Sequence, residues 1–252
     1  MESFDTHYSA IYQERWEGLK EALLQPTNPI AHSEGLLQPY FLDEGSLIVA
    51  SLLPVKPGQT LLDMCAAPGG KSLTLAKALA GEGLLVLNDR SSERRSRLKR
   101  VVETHLPPSL REIVKITSHD GRKWGLYEQE FYDGILIDAP CSSERHLLQN
   151  PKLLKKWSPS RGKRLAIDQF AFLAAALEAV KIGGYLLYST CSINPIENEE
   201  VLAKLFKRRP SRFSEIPLEV DVGERRPYGY AILPDRAQGM GPLYFALLRR
   251  ES

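Results

Sequence analysis

From residue 60 onward, short apolar runs alternate with longer amphipathic segments, and this alternation restricts the fold more than any other feature of the chain. Short runs that are apolar throughout are typical of parallel strands buried on both faces. The amphipathic segments between them are typical of helices that connect such strands. We therefore predict an α/β fold with a mostly parallel sheet and helices on both faces. The predicted strands cover 60–64, 84–88, 113–117, 131–137 and 185–189, and the predicted helices cover 70–80, 91–105 and 164–180.

The two ends of the chain add elements of different kinds. The first 24 residues carry apolar side chains at helical spacing, which predicts one amphipathic helix that ends before Pro26. Near the other end, apolar runs at 228–233 and 243–248 flank a glycine-containing turn, which predicts an antiparallel pair closing the edge of the sheet. Because 252 residues approach the upper limit for one hydrophobic core, we predict a main domain at 37–252 and a helical appendage at 1–36.

The composition excludes several classes of protein. Hydrophobic residues make up 43% and charged residues 25% of the chain, and no apolar run approaches the ~18 residues that a membrane span needs. The first six residues contain no basic export signal. Three cysteines fit a reducing compartment better than a disulfide framework. We therefore expect a cytoplasmic protein with no membrane partner.

The net charge of +2 conceals an uneven distribution of charge. Residues 1–44 carry eight acids and two bases, whereas the rest of the chain carries 31 bases and 23 acids. The excess bases concentrate in three clusters at 90–100, 152–164 and 204–212. One such cluster is as often the solvated face of a helix as a phosphate-binding surface, but three together favour a nucleic-acid partner.

In open α/β sheets, ligands bind beyond the carboxyl ends of the strands, so the residues at those ends are the first candidates for a site. The first predicted strand leads through Asp63-Met64-Cys65-Ala66-Ala67-Pro68-Gly69-Gly70-Lys71-Ser72 into a helix. Adjacent glycines let the backbone approach a ligand, and the new helix offers free N–H groups. A Walker A loop would need glycine where Cys65 stands, and the dinucleotide Gly-x-Gly-x-x-Gly pattern is absent. The turn therefore suits a ligand with little or no phosphate.

The other strand ends supply acids and cysteines. Asp89 follows the second strand, where an acid would bind a ribose, although Asp89 or Ser91 could instead cap the next helix. Asp120 follows the third strand, where a carboxylate could accept from an adenine amino group. Cys141 and Cys191 follow two further strands, but the cysteines lack the paired spacing of a zinc site, so we expect no metal.

Three motifs occur in a fixed order: Asp-x-Cys-Ala-Ala-Pro-Gly-Gly-Lys at 63–71, Asp-Ala-Pro-Cys at 138–141 and Ser-Thr-Cys-Ser at 189–192. Together they resemble the Fmu/Sun family of RNA 5-methylcytosine methyltransferases, which use S-adenosyl-L-methionine. The resemblance extends from about residue 37 to the end of the chain. It implies a Rossmann-like class I methyltransferase fold whose mostly parallel sheet has an antiparallel C-terminal strand.

The resemblance also implies roles for individual residues. Cys191 matches the nucleophile of the family, Cys141 the cysteine that assists product release, and Asp138 an acid between cofactor and target base. A thiolate that adds to carbon 6 of cytosine makes carbon 5 nucleophilic enough to take the methyl group. A protonated Asp138 would assist through the ring nitrogen, which requires a raised pKa in a dry site. The matching cofactor residues are Cys65, Ala66, Ala67, Pro68, Gly69, Gly70, Lys71, Asp89, Arg94, Asp120, Gly121 and Asp138.

The chain departs from the commonest family pattern in two ways. Ser142-Ser143-Glu144-Arg145-His146 stands where the family usually continues Ser-Gly-x-Gly, and this variant resembles the short branch that includes the mitochondrial small-subunit ribosomal RNA enzyme. It leaves Arg145 and His146 facing the substrate side. Only about 35 residues remain for a separate RNA-binding region, so we expect the basic clusters to bind phosphates, and ribosomal context or an accessory protein to add affinity. Candidate stacking surfaces are Trp157, Tyr228 and Tyr230.

These observations favour a ribosomal RNA cytosine-C5 methyltransferase, with three alternatives open. The first is the same reaction on tRNA. The second is methylation of another base atom, in which neither cysteine becomes covalently attached. The third is a ribosome-assembly factor that binds S-adenosyl-L-methionine and RNA without catalysis, although the intact Asp138, Cys141 and Cys191 argue against it.

Overall fold

The structure is a computed structural model that describes residues 2–252. The prediction that the first six residues contain no export signal covers Met1, and Met1 lies outside the described residues. The helices are α1 Phe4–Tyr12, α2 Trp16–Leu24, α3 Glu44–Ser51, α4 Gly70–Leu79, α5 Ser92–His105, α6 Pro108–Arg111, α7 Glu144–Leu148, α8 Pro151–Leu154, α9 Ser160–Ala179 and α10 Glu199–Arg208. The strands are β1 Ile30–His32, β2 Tyr40–Leu42, β3 Thr60–Asp63, β4 Leu84–Asn88, β5 Val114–Thr117, β6 Tyr132–Asp138, β7 Val180–Thr190, β8 Phe213–Ile216, β9 Glu224–Arg225, β10 Tyr230–Ile232 and β11 Leu243–Arg250.

The main sheet has the order β5-β4-β3-β6-β7-β11-β10-β9, and β8 also pairs with β11. Neighbouring strands from β5 to β7 are parallel, whereas β11 runs antiparallel to β7. The predicted fold class, with a mostly parallel sheet and an antiparallel C-terminal strand, is therefore confirmed. All the parallel strands end at one edge of the sheet, which is where the predicted ligand-binding loops lie.

Each face of the sheet carries its own hydrophobic core. Alternate residues of one strand point to opposite faces, and in β3 both Leu61 and Leu62 are fully buried. Leu61 packs in a cluster with residues of α4 and α5, and Leu62 packs in a second cluster with residues of α9 and α10. Burial on both faces explains why the strands are apolar at successive positions instead of alternating.

The predicted antiparallel pair near the end of the chain is present as β10 and β11, but β11 lies inside the sheet and the pair does not itself form the edge. β11 pairs with β7 on one side and with both β8 and β10 on the other. The outermost strand is the short β9, which the sequence pattern did not indicate. The interior position has a physical reason. Residues Leu243–Leu248 are all buried, so other elements must pack on both faces of this strand and other strands must pair with both of its edges.

The N-terminal segment is not one helix as predicted but two, α1 and α2. Gln13 adopts a left-handed φ of 52°, and a 3-10 turn at Gln13–Arg15 redirects the chain. The turn lets the apolar faces of both helices share one cluster, where Tyr8 and Trp16 stack at 5.3 Å beside Leu147 of α7. Arg15 fixes the turn to the main domain through ion pairs with Glu224 and Asp235, both at 2.6 Å.

The hairpin formed by β1 and β2 spans residue 36, where we placed the domain boundary. Tyr40 of this hairpin packs beside the start of α4, so the segment contacts the predicted cofactor loop. The division into 1–36 and 37–252 stays a prediction.

Among residues 2–252, no helix has both the length and the apolar character that a membrane span requires.

Candidate active site

A cavity of about 450 Å³ opens at the carboxyl ends of β3, β4 and β5. Five of the residues predicted from the sequence, from three separate strand ends, line it together. The cavity therefore lies where an open α/β sheet is expected to bind its ligand. Its lining includes Met64, Cys65, Asn88, Asp89, Arg90, Ser91, Arg94, His119, Asp120, Gly121, Arg122, Pro140, Leu165, Asp168 and Phe172.

The predicted cofactor loop between β3 and α4 depends on its two glycines. Gly69 has a φ of 122°, which side chains rarely adopt, and a Cβ there would lie 3.0 Å from Val101. A Cβ on Gly70 would lie 2.9 Å from the ring of Tyr40. The loop can therefore pass close to its neighbours and begin α4 with free N–H groups. It borders a second, smaller cavity of about 130 Å³ that includes Pro68, Lys71 and Asp138.

Asp89 presents a buried carboxylate oxygen with an unfilled hydrogen-bonding capacity. Its Oδ1 accepts from the Ser91 backbone N–H at 2.9 Å, while its Oδ2 has no hydrogen-bond partner among residues 2–252. The Ser91 hydroxyl accepts from the Arg94 N–H at 3.3 Å, so Ser91 rather than Asp89 caps α5. Buried polar atoms are normally satisfied, and a ribose hydroxyl would satisfy this one. The residues present therefore fit the ribose of S-adenosyl-L-methionine.

Arg94 lies between the predicted ribose acid and the cofactor loop. Its Nε is 3.4 Å from Asp89 Oδ2, and its guanidinium donates to the Ala67 carbonyl oxygen. The sequence predicted Arg94 as a cofactor residue. Its hydrogen bond with Ala67 means that one side chain also connects the start of α5 with the cofactor loop.

Asp120 lines the large cavity just beyond the end of β5. Arg122 donates to it through Nε at 2.9 Å and Nη2 at 2.7 Å. These hydrogen bonds lower the pKa of Asp120 to about 2, so its carboxylate stays ionised and able to accept from an amino group. Gly121 lines the cavity beside it.

Asn88 is a contributor to the site whose role the sequence did not indicate. Its buried amide donates to the carbonyl oxygens of Met64 and His119 at 3.0 and 3.1 Å. Its oxygen accepts from the Thr117 hydroxyl and the His119 N–H at 3.0 and 2.8 Å. One side chain therefore holds the ends of β3, β4 and β5 in register. The only signal in the sequence is a polar residue at the end of an otherwise apolar strand.

The two cysteines of the later motifs meet at the ends of the neighbouring strands β6 and β7. Their Sγ atoms are 3.1 Å apart, and the Cys191 backbone N–H donates to Cys141 Sγ at 3.3 Å. The hydrogen bond with Cys141 lowers the pKa of Cys191, and one with Ser143 acts in the same direction, against burial. The same pairing and burial raise the pKa of Cys141 well above its usual value. The thiolate therefore forms first on Cys191.

Cys65 has a different environment. It is buried, and burial together with the nearby Asp63 raises its pKa well above the usual value. A buried thiol that resists ionisation is a poor nucleophile. Cys65 therefore contributes to the wall of the large cavity as a small apolar side chain.

Lys71 links the cofactor loop to the predicted catalytic acid. Its Nζ donates to Asp138 Oδ2 at 2.8 Å. Burial acts to lower the pKa of Lys71, but the attraction of Asp138 outweighs it and the pKa is raised, so the ammonium stays charged. The protonated Asp138 that the resemblance implies stays a prediction. The sequence assigned Lys71 only to cofactor binding. In the structure its ammonium is a hydrogen-bond donor directly beside Asp138.

A third cavity of about 280 Å³ adjoins Cys191. The exposed His146 lines it, as the sequence predicted. Arg145 also borders it, but only 8% of this residue is exposed, and its Nη2 donates to the carbonyl oxygens of Ala22 and Gly239 at 3.3 and 3.2 Å. Its guanidinium therefore connects the end of α2 to the main domain through Nη2, while its Nε and Nη1 have no hydrogen-bond partner among residues 2–252. That Arg145 faces a substrate stays a prediction.

The aromatic candidates for base stacking are already packed against other rings. Trp157 meets Phe4 edge-on at 5.1 Å, Tyr228 stacks on Phe206 at 4.9 Å, and Tyr230 stacks on Phe245 at 5.7 Å. These contacts belong to the N-terminal cluster and to the faces of the sheet. All three residues are nevertheless partly exposed, so their role as stacking surfaces stays a prediction.

The basic clusters differ in their distance from the cavities. Arg90 and Arg94 of the first cluster line the large cavity, and the second cluster leads into α9, which supplies Leu165 to the same lining. The third cluster extends along α10 toward the opposite edge, where Arg212 pairs with Glu178 near the start of β7. Only the first two clusters therefore adjoin the candidate site.

Among residues 2–252, no group of three or more His, Cys, Asp or Glu side chains is placed to hold a metal ion.

The family and the relatives that this chain matches are all named as RNA methyltransferases. The sequence profile of the family described as 16S rRNA methyltransferase RsmB/F matches residues 50–249. The chain is 34% identical over 235 residues to the 5-cytosine rRNA methyltransferase NSUN4 of Bos taurus, covering 86% of this chain and 61% of that protein. It is 33% identical over 195 residues to the tRNA (cytosine(49)-C(5))-methyltransferase of Pyrococcus abyssi, covering 77% and 60%.

One solved structure has a closely similar fold. The crystal structure of PH0851 superposes with a TM-score of 0.83 at 25% identity, over 98% of this chain and 65% of that one. The chain therefore spans about three fifths of the length of the curated relatives that it matches.

Proposed function

This chain belongs to the 16S rRNA methyltransferase RsmB/F family, and from that membership we propose that it transfers a methyl group from S-adenosyl-L-methionine to carbon 5 of a cytosine in ribosomal RNA. The observation that carries the proposal is the cysteine pair. The Sγ atoms of Cys191 and Cys141 approach to 3.1 Å at the third cavity, which Cys191 lines, and their pKa values are displaced in opposite directions. A nucleophile that ionises easily beside a thiol that keeps its proton suits covalent activation of a cytosine.

We assign each group of cofactor residues to a different part of S-adenosyl-L-methionine. Asp89 would bind the ribose hydroxyls, Asp120 and Gly121 the adenine, and the loop Cys65–Lys71 the methionine part. When bound, the cofactor supplies an electrophilic methyl group on a sulfonium. Asp89 Oδ2, which accepts no hydrogen bond although Arg94 Nε lies 3.4 Å away, and the ionised Asp120 support this arrangement.

The chemical steps follow from the groups around Cys191. Its thiolate forms a bond to carbon 6 of cytosine, and the ring electrons move toward carbon 5, which becomes able to accept the methyl group. Either a protonated Asp138 or the Lys71 ammonium donates to the ring nitrogen while charge develops there. The carbon 5 proton then leaves to water, the ring double bond re-forms, and the Cys191–C6 bond breaks. The Cys141 thiol, directed at Cys191 Sγ, stabilises the departing thiolate.

The RNA substrate is inferred from the relatives and from the surface. NSUN4 is named for rRNA, and the Pyrococcus abyssi relative is named for tRNA, so ribosomal RNA is the first proposal and tRNA the alternative. The clusters at 90–100 and 152–164 would bind phosphates near the site. An accessory protein would add affinity, as the short N-terminal region led us to expect. The cytoplasmic location likewise stays a proposal from composition.

Substituting each cysteine tests the reaction. Cys191→Ala should abolish methylation of ribosomal RNA, whereas Cys141→Ala should accumulate a covalent RNA–protein adduct, because the thiolate still attacks but departs slowly. Adducts are measured as a shifted band on denaturing gels after incubation with RNA and cofactor. In matched double variants, Cys65→Ala/Cys141→Ala should keep the adduct and Cys191→Ala/Cys141→Ala should lose it.

The alternatives give different results in the same assay. If RNA is methylated by Cys191→Ala as well as by the wild type, the methylated atom is not activated through a thiolate, and the proposed function is wrong. Binding of cofactor and RNA without any methylated product would favour the non-catalytic assembly factor. Bisulfite sequencing of total RNA, with and without the protein, separates ribosomal from transfer RNA.

A further inference from the structure

Ser143 adopts a backbone conformation that a residue with a side chain normally avoids. Its φ and ψ of 55° and 61° place it in the left-handed region, at the position just before α7. Glycine would adopt these angles without strain, and glycine is what the family pattern usually has after the serine of this motif. A strained backbone that persists in a well-packed loop suggests that the side chain is retained for function.

The strained backbone brings the hydroxyl of Ser143 to the cysteine pair. Its Oγ lies 3.0 Å from Cys191 Sγ and 3.6 Å from Cys141 Sγ. The loop on either side is fixed, because the Ser142 N–H donates to the buried Glu197 carboxyl at 2.9 Å and the Ser143 carbonyl accepts from the Leu147 N–H at 3.1 Å. The hydroxyl is therefore held in place against the sulfur.

We propose that Ser143 is a further catalytic residue whose hydroxyl donates a hydrogen bond to Cys191 Sγ and holds it as the thiolate. The chemical role of that thiolate rests on the proposed function. Cys141 and Ser143 then supply two donors to one sulfur, and Cys141 keeps its proton for release. The same two donors stabilise the thiolate again when it departs from carbon 6, so Ser143 acts at both the formation and the breaking of the covalent bond.

Two substitutions separate the hydroxyl from the backbone strain. Ser143→Gly removes the hydroxyl and relaxes the backbone, whereas Ser143→Ala removes the hydroxyl and keeps the strain. Both should raise the pKa of Cys191 by about one pH unit, because the charged sulfur has one hydrogen-bond donor fewer. Thermal unfolding should differ between them, with Ser143→Gly melting at a higher temperature than Ser143→Ala.

The pKa is measured from the rate at which iodoacetamide alkylates Cys191 across a range of pH, with mass spectrometry of the Cys191 peptide to exclude the other cysteines. Near pH 7 both variants should react about tenfold more slowly than the wild type, and the rates should converge at high pH, where every thiol is ionised. The thermal unfolding of the same variants shows whether the site has stayed folded. Ser51→Ala, at an exposed serine on α3, is the matched control and should keep the wild-type profile.

An unchanged alkylation profile in Ser143→Gly would overturn the proposal. The alkylation needs neither RNA nor cofactor, so it separates this inference from the proposed function. If the wild type methylates no cytosine but the profile still shifts, the proposed function fails and the hydrogen bond to the thiolate stands. If methylation occurs and the profile does not shift, Ser143 has no catalytic part.

Discussion

Cys141 and Cys191 carry the same side chain, yet their surroundings give them opposite acid–base properties. The motifs identify both residues, and their places at the ends of adjacent strands are predictable from the sequence. The direction of each pKa shift is not, because it depends on the 3.1 Å contact between the sulfur atoms and on Ser143 beside them. Those distances arise only when β6 and β7 are paired in register.

Other residues of the site show the same limit. Arg145 follows the Asp-Ala-Pro-Cys motif, and nothing in the sequence indicated that it is buried and donates to the Ala22 carbonyl oxygen at the end of α2. Asn88 ties together three strand ends through contacts with residues up to 31 positions away. Periodicity reports which face a residue occupies, but it carries no information on such distant partners.

Replacing Asp89 tests the ribose site. Asp89→Asn removes the charge while keeping the shape, so the affinity for S-adenosylhomocysteine should fall about tenfold to a hundredfold. Isothermal titration calorimetry measures the change. Glu93→Gln is the matched control, because Glu93 is an exposed acid four residues later, on α5, whose carboxylate pairs with Arg97. Equal affinities for Asp89→Asn and Glu93→Gln would remove Asp89 from the cofactor site.

At the scale of elements, the N-terminal helices are connected to the nucleophile through buried polar groups. The Tyr8 hydroxyl of α1 donates to Glu144 Oε1 at 2.7 Å. Glu144 in turn accepts from the Ile193 N–H at 3.1 Å, two residues beyond Cys191. The sequence pattern marked Tyr8 only as an apolar-face residue of a helix. The connection suggests that the N-terminal segment supports the cysteine loops rather than serving as an independent unit.

Glu144 should make stability depend on pH. Burial, reinforced by Glu197, raises the pKa of Glu144 from 4.5 to about 7. The folded protein therefore keeps a proton that the unfolded chain loses, so the free energy of unfolding should fall as the pH rises from about 4.5 to about 7. Burial raises the pKa of Asp63 to about 7 and adds to the same slope.

Glu144→Gln mimics the protonated acid and should flatten that slope, leaving the variant more stable than the wild type at pH 8. Urea unfolding at several pH values between 4 and 8 measures the effect. Glu103→Gln, at an exposed position on α5, should keep the wild-type slope. A slope in Glu144→Gln equal to that of the wild type would show that Glu144 ionises normally in the folded protein.

For the molecule as a whole, the alternation of apolar runs and amphipathic segments was sufficient to predict the class of fold and the edge that carries the site. It was not sufficient to order the strands at the C-terminal side. β8 and β9 have 4 and 2 residues, too short for a periodic signal, and the interior position of β11 depends on pairings with three other strands. Topology of this kind requires knowledge of which distant segments compete for the same edge.

The distribution of charge predicts how RNA binding responds to salt. Lys155→Gln/Lys156→Gln neutralises two exposed bases of the second cluster and should reduce the slope of log affinity against log salt by about 0.7–0.9 for each phosphate that these side chains no longer neutralise. Filter binding at several salt concentrations measures the slope. Lys207→Gln/Arg208→Gln neutralises two exposed bases of the third cluster, away from the site, and should leave the slope unchanged. The reverse pattern would place the RNA on α10.

The fate of the hydrogen on carbon 5 of cytosine is the most direct test of the proposed reaction. Ribosomal RNA labelled with tritium at that position is incubated with the protein and S-adenosyl-L-methionine, and the tritium released to water is counted beside the methyl groups incorporated. We expect one tritium released for each methyl group transferred by the wild type and none with Cys191→Ala. Methyl transfer that leaves the tritium on the RNA would contradict cytosine-C5 methylation.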